Sequence, residues 1–198
     1  MNTAYIRIRI CVIAAALLAV AGCGTTPPST FYQLSETAST QLSGLERGIA
    51  IGVGPVNVAP YLDRPQIVIR GAGHKLELSE FNRWVEPLTE SIQRVIVINL
   101  SNSLESTRVY KIPRRNKTIP LEFRVEIDIA RFDGELGGDA LLVARWTLYD
   151  QQDEALLTKV SIIRESSGGE GFDLLIAAQN RTLQLLSQDI LAAIRKNR

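Results

Sequence analysis

From residue 121 to 129 every odd position is apolar and every even one charged: Leu121-Glu122-Phe123-Arg124-Val125-Glu126-Ile127-Asp128-Ile129. Strand side chains point alternately to opposite faces, so this segment predicts a long strand with one dry face and one wet face. Ala140, Leu142, Ala144, Trp146 and Leu148 spell a second such strand. Residues 156–164 supply a third, joined to it through Tyr149-Asp150-Gln151-Gln152-Asp153 as a meander. The dry face needs a cover, and two segments change period to provide it. Leu88, Ile92, Val95, Ile96, Leu100 and Ser103 recur at helical spacing, as do Phe172, Leu175, Ile176, Leu183, Leu186, Ile190 and Ala193. Arg195, Lys196 and Arg198 suit the C-terminal end of the second helix. The expected class is α+β: an antiparallel or mixed β-sheet with two principal α-helices packed on one face.

Shorter signals fill the first half of the domain. Phe31-Tyr32-Gln33-Leu34 reads as an opening strand, followed by a polar excursion over residues 35–48. Ile49-Ala50-Ile51-Gly52-Val53 alternates as a strand does; Gly54-Pro55 then breaks the register and Val56 and Val58 resume on the other parity, so a bend is expected there. Gln66-Ile67-Val68-Ile69-Arg70, apolar on both faces, reads as an interior strand. Gly71-Ala72-Gly73 turns it into a hairpin partner, His74-Lys75-Leu76-Glu77-Leu78, with His74 at the edge of the apolar face. Ser79 is expected to cap the following helical segment, with Pro87 tolerated in a first turn or at a kink. Leu141, Val143 and Tyr149 make the second meander strand apolar on its other side too. That surface predicts self-association as a closed homo-oligomeric ring, unless the excursion over residues 35–48 covers it.

The chain opens with Arg7 and Arg9 and no acid, then an uncharged apolar run from Ile10 to Ala21, too short for a bilayer-spanning helix, which takes roughly 18 residues or more. It reads as an export signal. Val20-Ala21-Gly22-Cys23 follows, an aliphatic residue and two small ones before a cysteine, in the pattern of a bacterial lipobox. The expected organisation is a signal peptide over residues 1–22, a lipidated tether over 23–30 beginning at Cys23, and a periplasmic domain over 31–198. Processing removes Cys11 and two arginines, which takes the formal net charge from +1 to −1 and leaves no free thiol.

Balanced charge argues against a nucleic-acid partner. One histidine and two cysteines leave too few groups for a zinc site or a histidine-centred triad, so no metal, no cofactor and no catalytic residue is expected. Gly52-Val53-Gly54 and Gly71-Ala72-Gly73 each begin a dinucleotide fingerprint whose third glycine would fall at Asn57 or Leu76; both read as turns or a bulge. Glu122, Glu126 and Asp128 read as a solvated strand face, and Asp133 and Glu135 as part of a turn. Lys111, Arg114, Arg115 and Lys117 cluster around Ile112-Pro113, to touch an anionic surface or simply to solvate a loop. Tyr61-Leu62-Asp63-Arg64-Pro65 and the segment from Ser79 to Leu88 concentrate aromatic and charged residues. Tyr61, Asp63, Arg64, Arg83 and Trp84 are therefore candidates to bind a partner, and equally to pack the sheet end and form local ion pairs.

These two segments also carry a resemblance. Together with the lipobox ending at Cys23, Phe31-Tyr32-Gln33-Leu34-Ser35, Ile51-Gly52-Val53-Gly54-Pro55-Val56, Tyr61-Leu62-Asp63-Arg64-Pro65-Gln66-Ile67-Val68, Phe81-Asn82-Arg83-Trp84-Val85-Glu86-Pro87-Leu88, Arg131-Phe132-Asp133-Gly134 and Trp146-Thr147-Leu148, the sequence resembles the PqiC-like family of ABC-type transport auxiliary lipoproteins. The resemblance implies a non-enzymatic component of a lipid transport system, held on the periplasmic face of the outer membrane by its N-terminal lipid. It also implies a partner, an MCE-domain protein of the inner membrane. Gly24 after the cysteine agrees with outer-membrane sorting by the same resemblance. An anchored periplasmic hydrolase and a passive envelope-stability lipoprotein are the alternatives.

Overall fold

The structure is a computed structural model that describes Arg7 and residues 27–36, 49–113 and 120–198. Its described elements run β1 (Thr30–Tyr32), β2 (Ile51–Val58), β3 (Gln66–Arg70), β4 (Leu76–Trp84), α1 (Leu88–Leu104), β5 (Val109–Lys111), β6 (Phe123–Gly134), β7 (Asp139–Tyr149), β8 (Ala155–Ser166) and α2 (Phe172–Lys196). The α+β class holds, but with two sheets where one was expected. A five-stranded sheet has the order β5-β2-β6-β7-β8, and a three-stranded one the order β1-β4-β3. Both are mixed: β2 runs parallel to β5 and β6, β6 to β8 form the antiparallel meander, and β1 runs parallel to β4.

The alternation at residues 121–129 does what its period demands. Phe123, Val125, Ile127 and Ile129 are buried, and their β7 partners Leu148, Trp146 and Ala144 are buried opposite them. Helices α1 and α2 pack on this face and on each other. α1 contributes Ile92, Val95, Ile96 and Leu100 to the core, and α2 contributes Leu183, Leu186, Ile190 and Ile194. Asp173 in the first turn of α2 and Arg195 and Lys196 in its last complement the helix dipole. Polar contacts fix α2 along the sheet edge. Ser161 on β8 accepts a hydrogen bond from Trp146 Nε1 at 3.1 Å and donates to Asp189 Oδ2 at 2.6 Å, while Arg181 pairs with Glu165 at 2.9 Å.

The bend in β2 lies where Gly54-Pro55 placed it, with the β2–β6 register shifting between Val53 and Val56. Gly54 sits at φ +129°, and a Cβ there would meet the Ile112 carbonyl oxygen and Gln93 Nε2, so no other residue fits this crossing.

Several local expectations need correction. Ser79 does not cap a helix: β4 continues through Trp84, and Ser79 Oγ instead accepts from the backbone and side chain of Asn82 at 3.2 and 2.8 Å. Pro87 is the N-cap of α1, because a residue without an N–H can precede a helix but cannot sit inside one without breaking its ladder. The segment before it pairs with β1, Tyr32 opposite Trp84, which no local pattern reveals. Strand β3 is apolar on both sides, Ile67 and Val68 both being buried, yet it is an edge strand of the smaller sheet. Arg70 at its end reaches across to β6 and docks that edge on the larger sheet. His74 lies exposed in the β3–β4 turn, off the apolar face. Asp133 lies within β6 and is fully buried. The opening strand is three residues long, Leu34 being buried beyond it.

Candidate functional site

The β2–β3 loop and the β4–α1 junction meet at one end of the smaller sheet. The loop is folded by its own backbone: Ala59 N–H donates to Ile129 O, Leu62 N–H to Ala59 O and Arg64 N–H to Leu62 O, all within 2.8–2.9 Å. Leu62 is buried beneath it. Trp84 N–H then donates to Pro65 O at 2.7 Å, clamping the loop to the end of β4, and Val85 N–H donates to Tyr32 O at 2.9 Å. Past Val85, Glu86 is held by Arg94 of α1 at 2.7 Å and by Gln33, and the Arg94 hydrogen bond keeps its carboxyl below the usual carboxylate range. Three prolines, Pro60, Pro65 and Pro87, restrict both segments before any ligand arrives.

Between them lies a groove of about 370 Å³, walled by Asp63, Arg64, Pro65, Trp84, Val85 and Leu88 and closed by Glu86 and Pro87. Its floor is apolar: Trp84 and Leu88 are buried, whereas Val85 stands exposed. Arg64 is the electrostatic feature. Its Nε is buried without a hydrogen-bond partner, and no described carboxylate lies within ion-pair distance of its guanidinium. Leaving a buried donor unmade costs about 1–3 kcal/mol. Glu86 is already engaged by Arg94, so it is not available to Arg64.

The structure thus brings Asp63, Arg64 and Trp84 into one groove. Arg83 points away from it, on the other side of β4, with Nε donating to Glu80 O at 2.9 Å and Nη2 at 3.8 Å from the Glu80 carboxylate. Tyr61 leaves the groove altogether. Its hydroxyl donates to Asp133 Oδ2 at 2.8 Å, and burial followed by that carboxylate pushes its pKa well up. Lys111 is exposed at the end of β5; Cys23, Arg114, Arg115 and Lys117 lie outside the described residues.

Tyr61 belongs to a cluster that sequence reasoning missed. Asp133 also accepts Arg70 Nε and Nη2, each at 3.2 Å, and Arg131 Nη2 at 2.6 Å. Burial alone would raise the Asp133 pKa, but the hydrogen bonds from Arg131, Arg70 and Tyr61 outweigh it and hold the carboxyl below its ordinary value. One buried carboxylate therefore joins β3, β6 and the groove loop. The signal available was the Arg131-Phe132-Asp133-Gly134 segment, whose acid is separated from Arg70 by 63 residues. Among the described residues no group of three or more His, Cys, Asp or Glu side chains is placed to hold a metal, and no helix is long and apolar enough to cross a membrane. What this arrangement offers is recognition: a rigid, mostly apolar slot with one arginine in its wall.

Comparison with known proteins follows the same line. No curated protein sequence matches the chain. Among solved structures, an uncharacterized protein superposes with a TM-score of 0.70 at 18% identity, covering 85% of this chain and 99% of the other. A Xanthomonas campestris protein described under the family DUF330 superposes with a TM-score of 0.65 at 17% identity, covering 82% and 92%. Likeness at this identity establishes the fold. The family model described as ABC-type transport auxiliary lipoprotein component matches residues 32–191, from β1 through most of α2 and across both walls of the groove, and the chain belongs to that family.

Proposed function

We propose that this protein is the outer-membrane-anchored accessory subunit of an ABC-type lipid transport system, and that its groove docks the periplasmic part of an MCE-domain protein held in the inner membrane. Family membership supports the auxiliary role in ABC-type transport and the lipoprotein character. Cys23 carries the anchor in this reading, behind the signal over residues 1–22. The observation that carries the docking step is Arg64, a cation with no described carboxylate partner in the wall of a largely apolar groove whose walls are fixed before binding. Preformed walls reduce the ordering entropy lost on association, and aromatic and arginine groups in such slots dominate binding energy. This reading includes no catalytic step. Capture of partners from solubilised membranes by the mature lipoprotein tests the reading: an MCE-domain protein should co-purify, and Arg64→Glu should weaken its recovery while the domain stays folded. Lipid exchange failing in a deletion strain without general envelope leakage separates this role from a passive envelope lipoprotein.

A second surface favours self-association. On the outer face of the large sheet, β8 sets Ile162 opposite Val143 and Val160 opposite Arg145. Ile162 is 67% exposed and Val160 49%, beside half-buried Val143. An apolar strip of this kind on the face away from the helices suits a contact between copies of the chain, and closed symmetry satisfies a repeated contact.

A further inference from the structure

We propose that the polar pocket at the β6–β7 turn binds a phosphate ester whose short carbon chain ends in a protonated amine, the chemistry of a phosphoethanolamine group. The pocket encloses about 330 Å³ and shares no lining residue with the groove, so it stands apart from the docking reading. Arg70, Arg131 and Arg164 line it together with Glu135 and Asp139. Strand register explains the convergence. Asp133 is opposite Leu141 and Leu141 opposite Arg164, so these residues share the face of the large sheet turned away from the helices. Arg131 and Glu135, two residues to either side of Asp133 on β6, belong to the same face. Arg70 reaches it from the end of β3.

Asp133 prepares two of the three cations. It accepts Arg70 Nε and Nη2 at 3.2 Å each and Arg131 Nη2 at 2.6 Å, yet it is fully buried and forms no part of the wall. The exposed parts of the two guanidinium groups are therefore held in place before a ligand arrives, and arginines so fixed present N–H donors to phosphate oxygens. Arg164 is exposed and makes no ion pair or side-chain hydrogen bond among the described residues. Glu135 and Asp139 face each other across the turn, Glu135 N–H donating to Asp139 O, one row further along the strands and about 7 Å from the Arg164 row. Gly138 N–H closes the turn onto Glu135 O at 3.1 Å, and Ser167 N–H at the end of β8 pins it by donating to Gly138 O at 2.9 Å. Charge then selects the ligand. Asp133 neutralises one arginine, which leaves two positive charges in the wall against the two carboxylates at the turn. A simple anion is attracted by one side and repelled by the other, and so is a simple cation; a ligand carrying both charges complements both sides. An α-amino acid holds its two charges too close together to span the rows, whereas an ethanolamine phosphate ester separates them further.

The test titrates the isotope-labelled mature lipoprotein in dodecyl maltoside micelles and follows its backbone amide resonances. The probes are glycerophosphoethanolamine, glycerophosphocholine, glycerophosphoglycerol, inorganic phosphate and glycine, followed by phosphatidylethanolamine dissolved in the same micelles. Glycerophosphoethanolamine should shift the amides of residues 134–139 and 164 and bind several-fold more tightly than the other soluble probes. Glycerophosphocholine keeps both charges but has no N–H to donate to Glu135 or Asp139, and glycerophosphoglycerol lacks the cation. Arg164→Gln, at an exposed position outside the Asp133 joint, should weaken binding about 10-fold or more at an unchanged melting temperature. Glu135→Gln combined with Asp139→Asn should abolish the preference for the amine while phosphate binding persists. The same shifts with phosphatidylethanolamine uphold the site with a membrane lipid as its source; shifts with the soluble ester alone uphold it with a free phosphate ester as its source. Inorganic phosphate or glycine binding as tightly as glycerophosphoethanolamine, folded Arg164→Gln binding like wild type, or no shift at residues 134–139 and 164 overturns the proposal.

Discussion

Replacing Asp133 by Asn probes the joint on which the groove depends. Asp133 is fully buried and accepts hydrogen bonds from Arg70, Arg131 and Tyr61, drawing together β3, β6 and the loop that carries Asp63 and Arg64. Asn keeps the shape but removes the charge, and it turns an acceptor into a donor facing guanidinium hydrogens. Breaking a buried pair by removing one partner costs about 3–5 kcal/mol. Arg70 and Arg131 retain 24% and 33% side-chain exposure, so water partly resolvates them and the lower end, about 3 kcal/mol, is the appropriate figure. For a domain of this size that corresponds to a melting temperature lower by about 6–12 °C. The same residue sets a pH dependence. Its carboxyl is held below its ordinary pKa in the folded state, so its contribution is complete above the unfolded value and is lost as pH falls through the folded one. Thermal melts of wild type and Asp133→Asn between pH 7 and pH 2.5 should therefore converge at the acid end. A variant that melts within 2 °C of wild type at pH 7, or whose deficit persists undiminished at low pH, refutes the assignment of Asp133 as an ionised joint.

Cys23→Ser should leave uncleaved precursor or release soluble protein, read by intact mass and membrane fractionation; unchanged outer-membrane fractionation would remove the anchor. Gly54→Ala should destabilise by about 2 kcal/mol or more, read by chemical denaturation, since its φ of +129° and the Ile112 carbonyl leave no place for a methyl group. Ile162→Glu should convert an associating species to a smaller one in sedimentation velocity at tens of micromolar; a wild-type chain that is already a monomer under those conditions excludes strong self-association through this strip.

The sequence exposes local periodicity well and long-range pairing poorly, and the residues divide along that line. Val125, Ile127 and Ile129 announce the core face of β6 because burial on a strand has a fixed period, and Leu183, Leu186 and Ile190 do the same for α2. The split into two sheets is not legible: β1 pairs with residues 82–84 in parallel, a contact spanning some fifty residues that leaves no mark in either segment alone. Ser79 resembles a helix cap because serine serves many local hydrogen bonds; here it closes onto Asn82 inside a strand. Asp133 resembles a turn acid because Gly134 follows it, and only Arg70 and Tyr61, brought from far upstream, make it a buried joint. Of the partner-binding candidates, Asp63, Arg64 and Trp84 converge because both proline-bounded segments end at the same edge of the small sheet, while Tyr61 is diverted to Asp133 and Arg83 to Glu80. The apolar second face of β7 was legible in Leu141 and Val143, but its extension by Val160 and Ile162 required the β7–β8 register.

The central claim is that the groove between the β2–β3 loop and the start of α1 docks a periplasmic partner. A photo-cross-linking amino acid at Val85, exposed on the groove wall and without a core role, tests it most directly in intact cells. The account predicts a cross-link to an MCE-domain protein, reduced by about 10- to 150-fold in Arg64→Glu, the factor expected from losing a charge-assisted contact of about 1.5–3 kcal/mol. An undiminished cross-link in folded Arg64→Glu, or a Val85 position that captures no such protein while one on the outer sheet face does, contradicts it.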